Sequence, residues 1–201
     1  MTTRVLPYGP NAALIECAPG AAVQLGQALI GTERFGEVVP AEQSVLVTLP
    51  RGMTVEDVRG IIRSLPGELP AAEGRDIEIP VIYSGPDLAL VAESTGLGVE
   101  QVVALHSGTT YFAAFAGFAP GYVYCTGLPR ELWLPRRPSP RTSVPAGSVA
   151  IADAYTAVYP ASSPGGWHLI GVTDLTLFDL RRPEPALIRP GDRVRFTVRT
   201  P

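Results

Sequence analysis

The sequence predicts an α+β fold, in which a small α/β domain at residues 1–80 precedes a β-rich domain at residues 81–201. In the first domain, strand-like runs alternate with amphipathic helical runs. In the second, two helical runs give way after residue 110 to short β-branched runs separated by proline and glycine. Short strands joined by such loops are typical of the wall of a small barrel.

The N-terminal domain is predicted to place two helices on one side of a small antiparallel sheet. Its predicted strands are residues 12–17, 45–49 and 77–81, and its predicted helices are residues 21–30 and 54–65. Thr54 and Asp57 stand at the spacing of a capping box, which predicts that the second helix begins there. The apolar residues behind them recur at helical spacing, so this helix should bury one stripe.

The second domain is predicted to begin with a pair of helices. Ser84 and Asp87 repeat the capping-box spacing before a helix that ends near Gly96, and the next helix covers Val99 to His106. The predicted strands that follow are residues 111–118, 122–125, 143–144, 148–151, 157–159, 168–171, 176–178 and 193–199. The last of these alternates arginine or threonine with apolar residues, which is typical of a half-exposed strand.

Charge and composition exclude several classes of function. The formal net charge is −3 and the sequence pI is about 5.4, which argues against electrostatic binding to nucleic acid or anionic lipid. We expect a cytoplasmic protein, because the sequence shows neither an apolar run long enough to span a membrane nor a signal peptide. All 16 lysine or arginine positions hold arginine, which excludes a P-loop lysine and Schiff-base chemistry on this chain.

Neither a metal site nor a hydrolytic nucleophile is predicted. The two histidines and the scattered carboxylates give no ligand cluster, and the two cysteines are expected to be buried free thiols. Residues 117–121 (Gly-Phe-Ala-Pro-Gly) contain no serine, cysteine or threonine, which predicts a shaped turn rather than a nucleophile elbow.

Arg137 and Arg141 are candidate binding residues in a loop stiffened by prolines. Guanidinium groups suit a carboxylate or a phosphate, and a rigid loop loses less entropy when it orders such groups on a ligand. The alternative is that both arginines are solvated or pair with acidic residues across a partner interface.

Candidate ring-bearing residues lie on both sides of this loop. His106 ends a predicted helix, whose dipole would favour the protonated form and suit an acid or base; alternatively it caps the helix through a carbonyl. Tyr159 and Trp167 flank a Pro-Gly-Gly turn where a ligand or second chain could approach, and the alternative for them is core packing. His168 follows Trp167 on a predicted strand and should face the opposite side of the sheet, so we expect it to be exposed and without a role.

A set of motifs along nearly the whole chain resembles one known family. The most specific are VPAGSV at 144–149 and SPGGW at 163–167; the others are GPDL at 85–88, His106, Tyr111, GFAPGY at 117–122, PRR at 135–137, PR at 140–141, YP at 159–160 and PGD at 190–192. In this order they are similar to the family of 5-oxoprolinase B subunits, also described as allophanate hydrolase subunit 1 and including sporulation-kinase inhibitors of the Bacillus type.

The resemblance implies a cyclophilin-like β-barrel after the small α/β domain. It also implies a non-autonomous component of an ATP-dependent 5-oxoprolinase, a cyclic amide hydrolase that converts 5-oxo-L-proline to L-glutamate with a homologous C subunit and a separate A subunit. ATP is expected to bind with or on the partner subunit. The residues proposed as catalytic are His106, Arg137 and Arg141, and those proposed as substrate-binding or interface residues are Tyr111, Phe118, Pro120, Gly121, Tyr159, Gly165, Gly166 and Trp167.

Two other functions stay open at the level of sequence. The chain could be a regulator that binds and inhibits a sensor histidine kinase, because one fold can serve either role. It could also be an accessory subunit of an allophanate hydrolase in urea degradation. In such a system the chain could only be an accessory subunit, because it lacks the nucleophile that an amidase requires.

Overall fold

The computed structural model describes residues 3–70 and 74–200, which fall into two compact units. The change from one unit to the other comes at the gap between residues 70 and 74. The first unit holds one sheet, the second holds a seven-stranded sheet and a two-stranded sheet of Arg141–Val144 with Ser163–Gly165, and each unit has its own hydrophobic core. The domain bounds 1–80 and 81–201 stay a prediction.

The first unit is an antiparallel sheet with two helices. Its elements are β1 (Arg4–Pro7), β2 (Ala12–Glu16), α1 (Ala22–Gly31), β3 (Val38–Pro40), β4 (Ser44–Thr48) and α2 (Val55–Ser64), with the strands in the order β1-β2-β4-β3. Alternate residues of β2 and β4 enter one core together with the buried stripes of both helices. The predicted β2, β4, α1 and α2 are confirmed, whereas the short strands β1 and β3, each with a proline, had no sequence prediction.

The capping box at the start of α2 is confirmed. The Thr54 hydroxyl accepts a hydrogen bond from the Asp57 N–H at 3.2 Å, and the Asp57 carboxylate accepts one from the Thr54 N–H at 2.8 Å. Two backbone donors that would otherwise lack partners at the helix end are therefore satisfied locally. For this reason the start of α2 could be predicted from the sequence alone.

The second unit contains the remaining strands and helices. They are β5 (Asp76–Val81), α3 (Leu88–Thr95), α4 (Val99–Ser107), β6 (Thr110–Ala116), β7 (Val123–Thr126), β8 (Arg141–Val144), β9 (Ser148–Ala152), β10 (Tyr155–Val158), β11 (Ser163–Gly165), β12 (His168–Val172) and β13 (Arg193–Val198). The strand predicted at 176–178 is wrong, since that segment makes only an isolated bridge between Phe178 and Ala186. In the described part of the chain no single helix is long and apolar enough to cross a membrane; α3 and α4 pass on length and composition only as a pair, bent by 97°.

Seven strands form one sheet in the order β12-β9-β10-β7-β6-β13-β5. Its two edges nearly meet, because Ile82 after β5 and Val172 at the end of β12 exchange two N–H···O hydrogen bonds of 2.9 Å. The sheet is therefore a nearly closed barrel. The prediction that the strand at 77–81 belongs to the first domain's sheet is wrong, because β5 pairs in parallel with β13.

The barrel wall separates two apolar clusters. All seven strands contribute to the inner cluster, which α3 and α4 extend. Val149 and Ile151 of β9 point inward, whereas Ala150 and Ala152 of the same strand point outward, as the two-residue period of a strand requires. The other buried members of the outer cluster are Tyr122, Val144, Ala157, Tyr159, Trp167 and Leu169.

The segment after β5 closes the barrel by running along β12. The backbone N–H groups of Gly85 and Asp87 donate to the carbonyls of Ile170 at 3.2 Å and Leu169 at 3.0 Å. Gly85 lies so close to β12 that a Cβ atom there would be 2.3 Å from the Leu169 carbonyl oxygen. A side chain at residue 85 would therefore push the two backbones apart.

We expect Gly85→Ala to lower the free energy of unfolding by roughly 2–4 kcal/mol, because the added methyl group has no room between the closing segment and β12. Denaturant unfolding at neutral pH measures the change. Gly117→Ala is the matched control, since the atom nearest to its Cβ would be in the Tyr124 ring at 3.9 Å. Equal loss of stability in both variants would contradict the close approach at Gly85.

Candidate functional site

The buried carboxylate of Asp87 organises the candidate site. Its Oδ1 accepts hydrogen bonds from Arg137 Nη1 at 2.9 Å and from Arg141 Nη2 at 2.7 Å. Its Oδ2 accepts one from the backbone N–H of Leu169 at 2.7 Å. Burial raises the pKa of Asp87, but Arg141, the Leu169 N–H and Arg137 outweigh it and hold that pKa below its usual range. One ionised carboxylate thus holds two guanidinium groups beside β12.

Residues 135–141, called the arginine loop below, are also tied to β12 through the backbone. The Pro135 carbonyl accepts a hydrogen bond from His168 Nε2 at 2.9 Å, and the Arg137 N–H donates to the Gly166 carbonyl at 2.8 Å. Three prolines within the loop further restrict its φ angles. The loop is therefore rigid before any ligand binds.

The arginine loop carries an excess of positive charge. The loop has three arginines but only one carboxylate partner, because Arg137 and Arg141 share Asp87. Arg136 is exposed and makes no ion pair in the described part of the chain. The Nε of Arg137 and the Nη1 of Arg141 are buried without a hydrogen-bond partner among the described residues. Cationic donors in excess of local acceptors favour the binding of an anion.

Tyr159 and Trp167 pack beside the arginine loop in the outer cluster. The ring of Tyr122 meets both edge-on, with centroid distances of 5.2 and 6.0 Å. Gly165 makes room for this packing, since a Cβ atom there would lie 2.3 Å from the Tyr159 hydroxyl oxygen. Both rings are buried, so the contact that the structure shows is packing, and direct contact of Tyr159, Gly165, Gly166 and Trp167 with substrate stays a prediction.

Residues 117–121 form the expected turn at the rim of the outer cluster. The Gly117 N–H donates to the Tyr122 carbonyl at 3.1 Å, and the Tyr122 N–H donates to the Ala119 carbonyl at 2.9 Å. Phe118 has a φ of 69°, in the left-handed region, and is 64% exposed. Pro120 and Gly121 complete the turn. A large apolar side chain held outward on a strained backbone is a candidate contact for another molecule.

His106 and Tyr111 lie inside the barrel, on the opposite face of the wall from Tyr159 and Trp167. His106 Nδ1 is 2.7 Å from the Tyr83 hydroxyl, and its Nε2 is 2.9 Å from the Thr156 hydroxyl. Because the Thr156 hydroxyl donates to the Ala150 carbonyl at 3.1 Å, it must accept from Nε2. Nε2 of His106 therefore carries a proton, and if the ring is neutral Nδ1 accepts from Tyr83.

Burial decides the charge of His106. The complete removal of its ring from water lowers the pKa to about 3, against the pull of the helix end toward the protonated form. The expectation of a protonated histidine is therefore wrong. So is the alternative that His106 bonds to a carbonyl, because both ring nitrogens face hydroxyl groups.

Two further sequence predictions are wrong. Asp87 does not cap α3 with its side chain, because its carboxylate is committed to the arginine loop and to Leu169. His168 is not exposed but buried, with Nε2 bonded to the Pro135 carbonyl. Sequence reasoning thus missed Asp87 as the anchor of the site. The available signal was an aspartate in the GPDL motif, but its spacing from Ser84 also fitted a capping box.

The chain matches the model of the carboxyltransferase domain family, subdomains C and D, over residues 3–188. Solved structures agree with that class. TTHA0988 is 35% identical with a TM-score of 0.82, covering 100% of this chain and 40% of that one. PH0987 from Pyrococcus horikoshii is 33% identical with a TM-score of 0.60, covering 97% of each chain. The urea carboxylase of Kluyveromyces lactis, at 16% identity, TM-score 0.71 and coverage of 98% and 22%, shows the fold alone.

Curated proteins with similar sequences identify a narrower family within this class. The 5-oxoprolinase B subunit of Escherichia coli O157:H7 is 46% identical over 179 residues, covering 86% of this chain and 82% of that protein. The B subunit of Haemophilus influenzae is 37% identical over 209 residues, covering 96% and 97%. The Bacillus subtilis B subunit is 47% identical over 125 residues, covering 61% and 52%. The chain therefore belongs to the family of 5-oxoprolinase B subunits, as its motifs predicted.

We expect Asp87→Asn to lower the free energy of unfolding by roughly 2–4 kcal/mol, because it leaves two partly buried guanidinium groups without their counter-charge. Asp87 is held ionised in the folded state, so its contribution is present above the unfolded pKa and is lost as the pH falls through the folded one. The variant should therefore lose less stability on acidification than the wild type. Asp76→Asn, which breaks an exposed pair with Arg193, should change little.

The neutral state of folded His106 predicts a second pH dependence of the free energy of unfolding. The unfolded chain binds a proton at this residue below about pH 6.5, whereas folded His106 does so only near pH 3. Stability should therefore fall by about 1.4 kcal/mol per pH unit from this one group as the pH drops from about 6 to 4. His106→Gln should remove that slope, as measured by denaturant unfolding at several pH values. Identical slopes for variant and wild type would contradict a neutral His106.

Proposed function

We propose that the chain is the B subunit of an ATP-dependent 5-oxoprolinase, which converts 5-oxo-L-proline to L-glutamate only together with the C and A subunits. The names of relatives at 37% to 47% identity support this proposal. The observation that carries it on this chain is the rigid arginine loop, whose positive charge exceeds the negative charge of Asp87. Such a loop suits the carboxylate of 5-oxoproline.

The reaction explains why ATP is needed. A five-membered lactam is a stable amide, and transfer of a phosphoryl group to its carbonyl oxygen would create a good leaving group. Attack of one water on the ring carbon would then break the C–N bond and give the ring-opened γ-glutamyl phosphate, and a second water would hydrolyse this acyl phosphate to L-glutamate and phosphate. The contribution proposed for this chain is to bind and orient the substrate and to stabilise negative charge near the arginine loop.

ATP is proposed to bind on or with the partner subunit. The chain contains no lysine, so it cannot place a P-loop lysine on the β- and γ-phosphates. The cytoplasmic location and the finer, cyclophilin-like description of the barrel belong to the same proposal.

The residues predicted as catalytic take more specific roles in this proposal. Arg137 and Arg141 act as positioning residues, because both guanidinium groups are bound to Asp87. His106 supports the barrel interior beside Tyr111, since its ring is neutral and fully buried. These assignments place substrate contact on the outer face of the wall.

The turn at 117–121 is proposed to contact the C subunit. Phe118 is the large exposed residue of this turn, and the outer aromatic cluster lies directly behind it, with 5.2 Å between the ring centroids of Phe118 and Tyr122. The rings of Tyr122 and Trp167 lie between Phe118 and Arg136, so a partner that covers this whole surface would also exclude water from the arginine loop. Exclusion of water strengthens the electrostatic interactions on which the proposed chemistry depends.

We expect the purified chain alone to release no L-glutamate from 5-oxoproline, and the complex with the C and A subunits to release it only when ATP is present. Coupled detection of glutamate measures the reaction. The controls omit ATP or this chain from the complete set. Full activity of the isolated chain, or no activity of the complete set, would contradict the proposed function.

A further inference from the structure

The three arginines of the arginine loop differ in what their guanidinium groups contact. Those of Arg137 and Arg141 both donate to Asp87 Oδ1, at 2.9 and 2.7 Å. Arg136 instead lies over the ring of Trp167, with 5.9 Å between its Cζ atom and the ring centroid. No ion pair joins Arg136 to a carboxylate among the residues that the structure describes, and the residue is exposed.

The backbone holds Arg136 in place on both sides. The preceding residue, Pro135, accepts a hydrogen bond from His168, and the following residue, Arg137, donates one to Gly166. The two bonds therefore attach the chain around Arg136 to the segment that carries Trp167, the residue between Gly166 and His168. Because the backbone on both sides of Arg136 is already fixed, ligand binding would have to order only its side chain.

The surroundings of Arg136 favour a planar anion. Stacking on the Trp167 face leaves the in-plane N–H donors of the guanidinium free, and these fit the two oxygens of a carboxylate. The phenols of Tyr122 and Tyr159 lie near the same charge. Burial raises the pKa of each, Arg136 acts against that rise, and both stay neutral at physiological pH. Among the described residues, therefore, neither these phenols nor an ion-paired carboxylate neutralises the charge of Arg136.

We propose that Arg136 binds the carboxylate of the lactam substrate, while Arg137 and Arg141 only fix the loop that presents it. This inference rests on the proposed function, and it separates three neighbouring arginines that sequence alone could not distinguish. One free guanidinium matches one carboxylate. The polyphosphate of ATP would call for several cationic groups, and two of the three here are already bound to Asp87.

The test uses the complete complex with Arg136→Gln in this chain. The KM for 5-oxoproline should rise about 10- to 100-fold, which is the loss typical of a charge-assisted hydrogen bond, with a smaller change in kcat. The KM for ATP, the assembly of the complex and the unfolding midpoint should not change, because Arg136 is exposed. Arg136→Lys should recover part of the affinity, since it keeps the charge but not the planar fork.

Arg130→Gln is the matched control. Arg130 is also exposed and lies over a tryptophan, with Cζ 5.4 Å from the Trp133 ring centroid, but it is outside the arginine loop. Its KM for 5-oxoproline should equal that of the wild type. An unchanged KM in Arg136→Gln, a rise confined to the KM for ATP, or a loss of assembly would overturn the inference. A wild-type complex that releases no glutamate would instead overturn the proposed function on which it rests.

Discussion

The carboxylate of Asp87 connects three segments that are distant in the sequence. Its own segment closes the barrel against β12, its Oδ2 accepts the Leu169 N–H of that strand, and its Oδ1 holds two of the three arginines of the arginine loop. Loss of this charge would weaken the attachment of the loop to β12, because two partly buried guanidinium groups would lack a partner. The shape of the candidate site therefore depends on a residue that need not touch a substrate.

A second buried aspartate, Asp192, fixes the backbone at the other end of β5. The Asp192 carboxylate accepts hydrogen bonds from the backbone N–H groups of Arg75 and Arg189, both at 2.9 Å, and from the Arg75 guanidinium at 2.7 Å. These contacts fix the starts of the parallel neighbours β5 and β13. Parallel strands cannot be joined by a tight turn, so their alignment has to come from such side-chain contacts and from the ladder itself.

The wall of the barrel divides the candidate residues by chemistry. The inner face holds a neutral histidine whose two ring nitrogens both contact hydroxyl groups. The outer face holds cations, phenols and an exposed phenylalanine beside small alanine residues of β9. A neutral His106 costs the interior less than a charged one would, whereas an outer surface with spare cationic donors suits a ligand. Both faces come from the same strands, because successive residues alternate across the sheet.

Much of the local structure followed from the sequence. The α2 start is set by Thr54 and Asp57, which satisfy each other within one helical turn, and the strands β2, β4 and β9 follow from short apolar or β-branched runs. The family could be identified from motifs such as VPAGSV and SPGGW, because motifs are recognised by their residues and order alone. No knowledge of the three-dimensional contacts is needed. The role of Asp87 was predicted wrongly because only its local spacing from Ser84 was visible. In the sequence, an aspartate of a capping box looks the same as one that anchors a distant loop.

What the sequence by itself determined was therefore the type and order of most elements, the absence of lysine chemistry and the family. The tertiary structure decided which residues meet: β5 with β13, Asp87 with Arg137 and Arg141, and His168 with Pro135. It also decided that His106 is neutral. The physical reason is that caps and periodicity act within a few residues, whereas burial and ion pairing here join residues 33 to 117 positions apart.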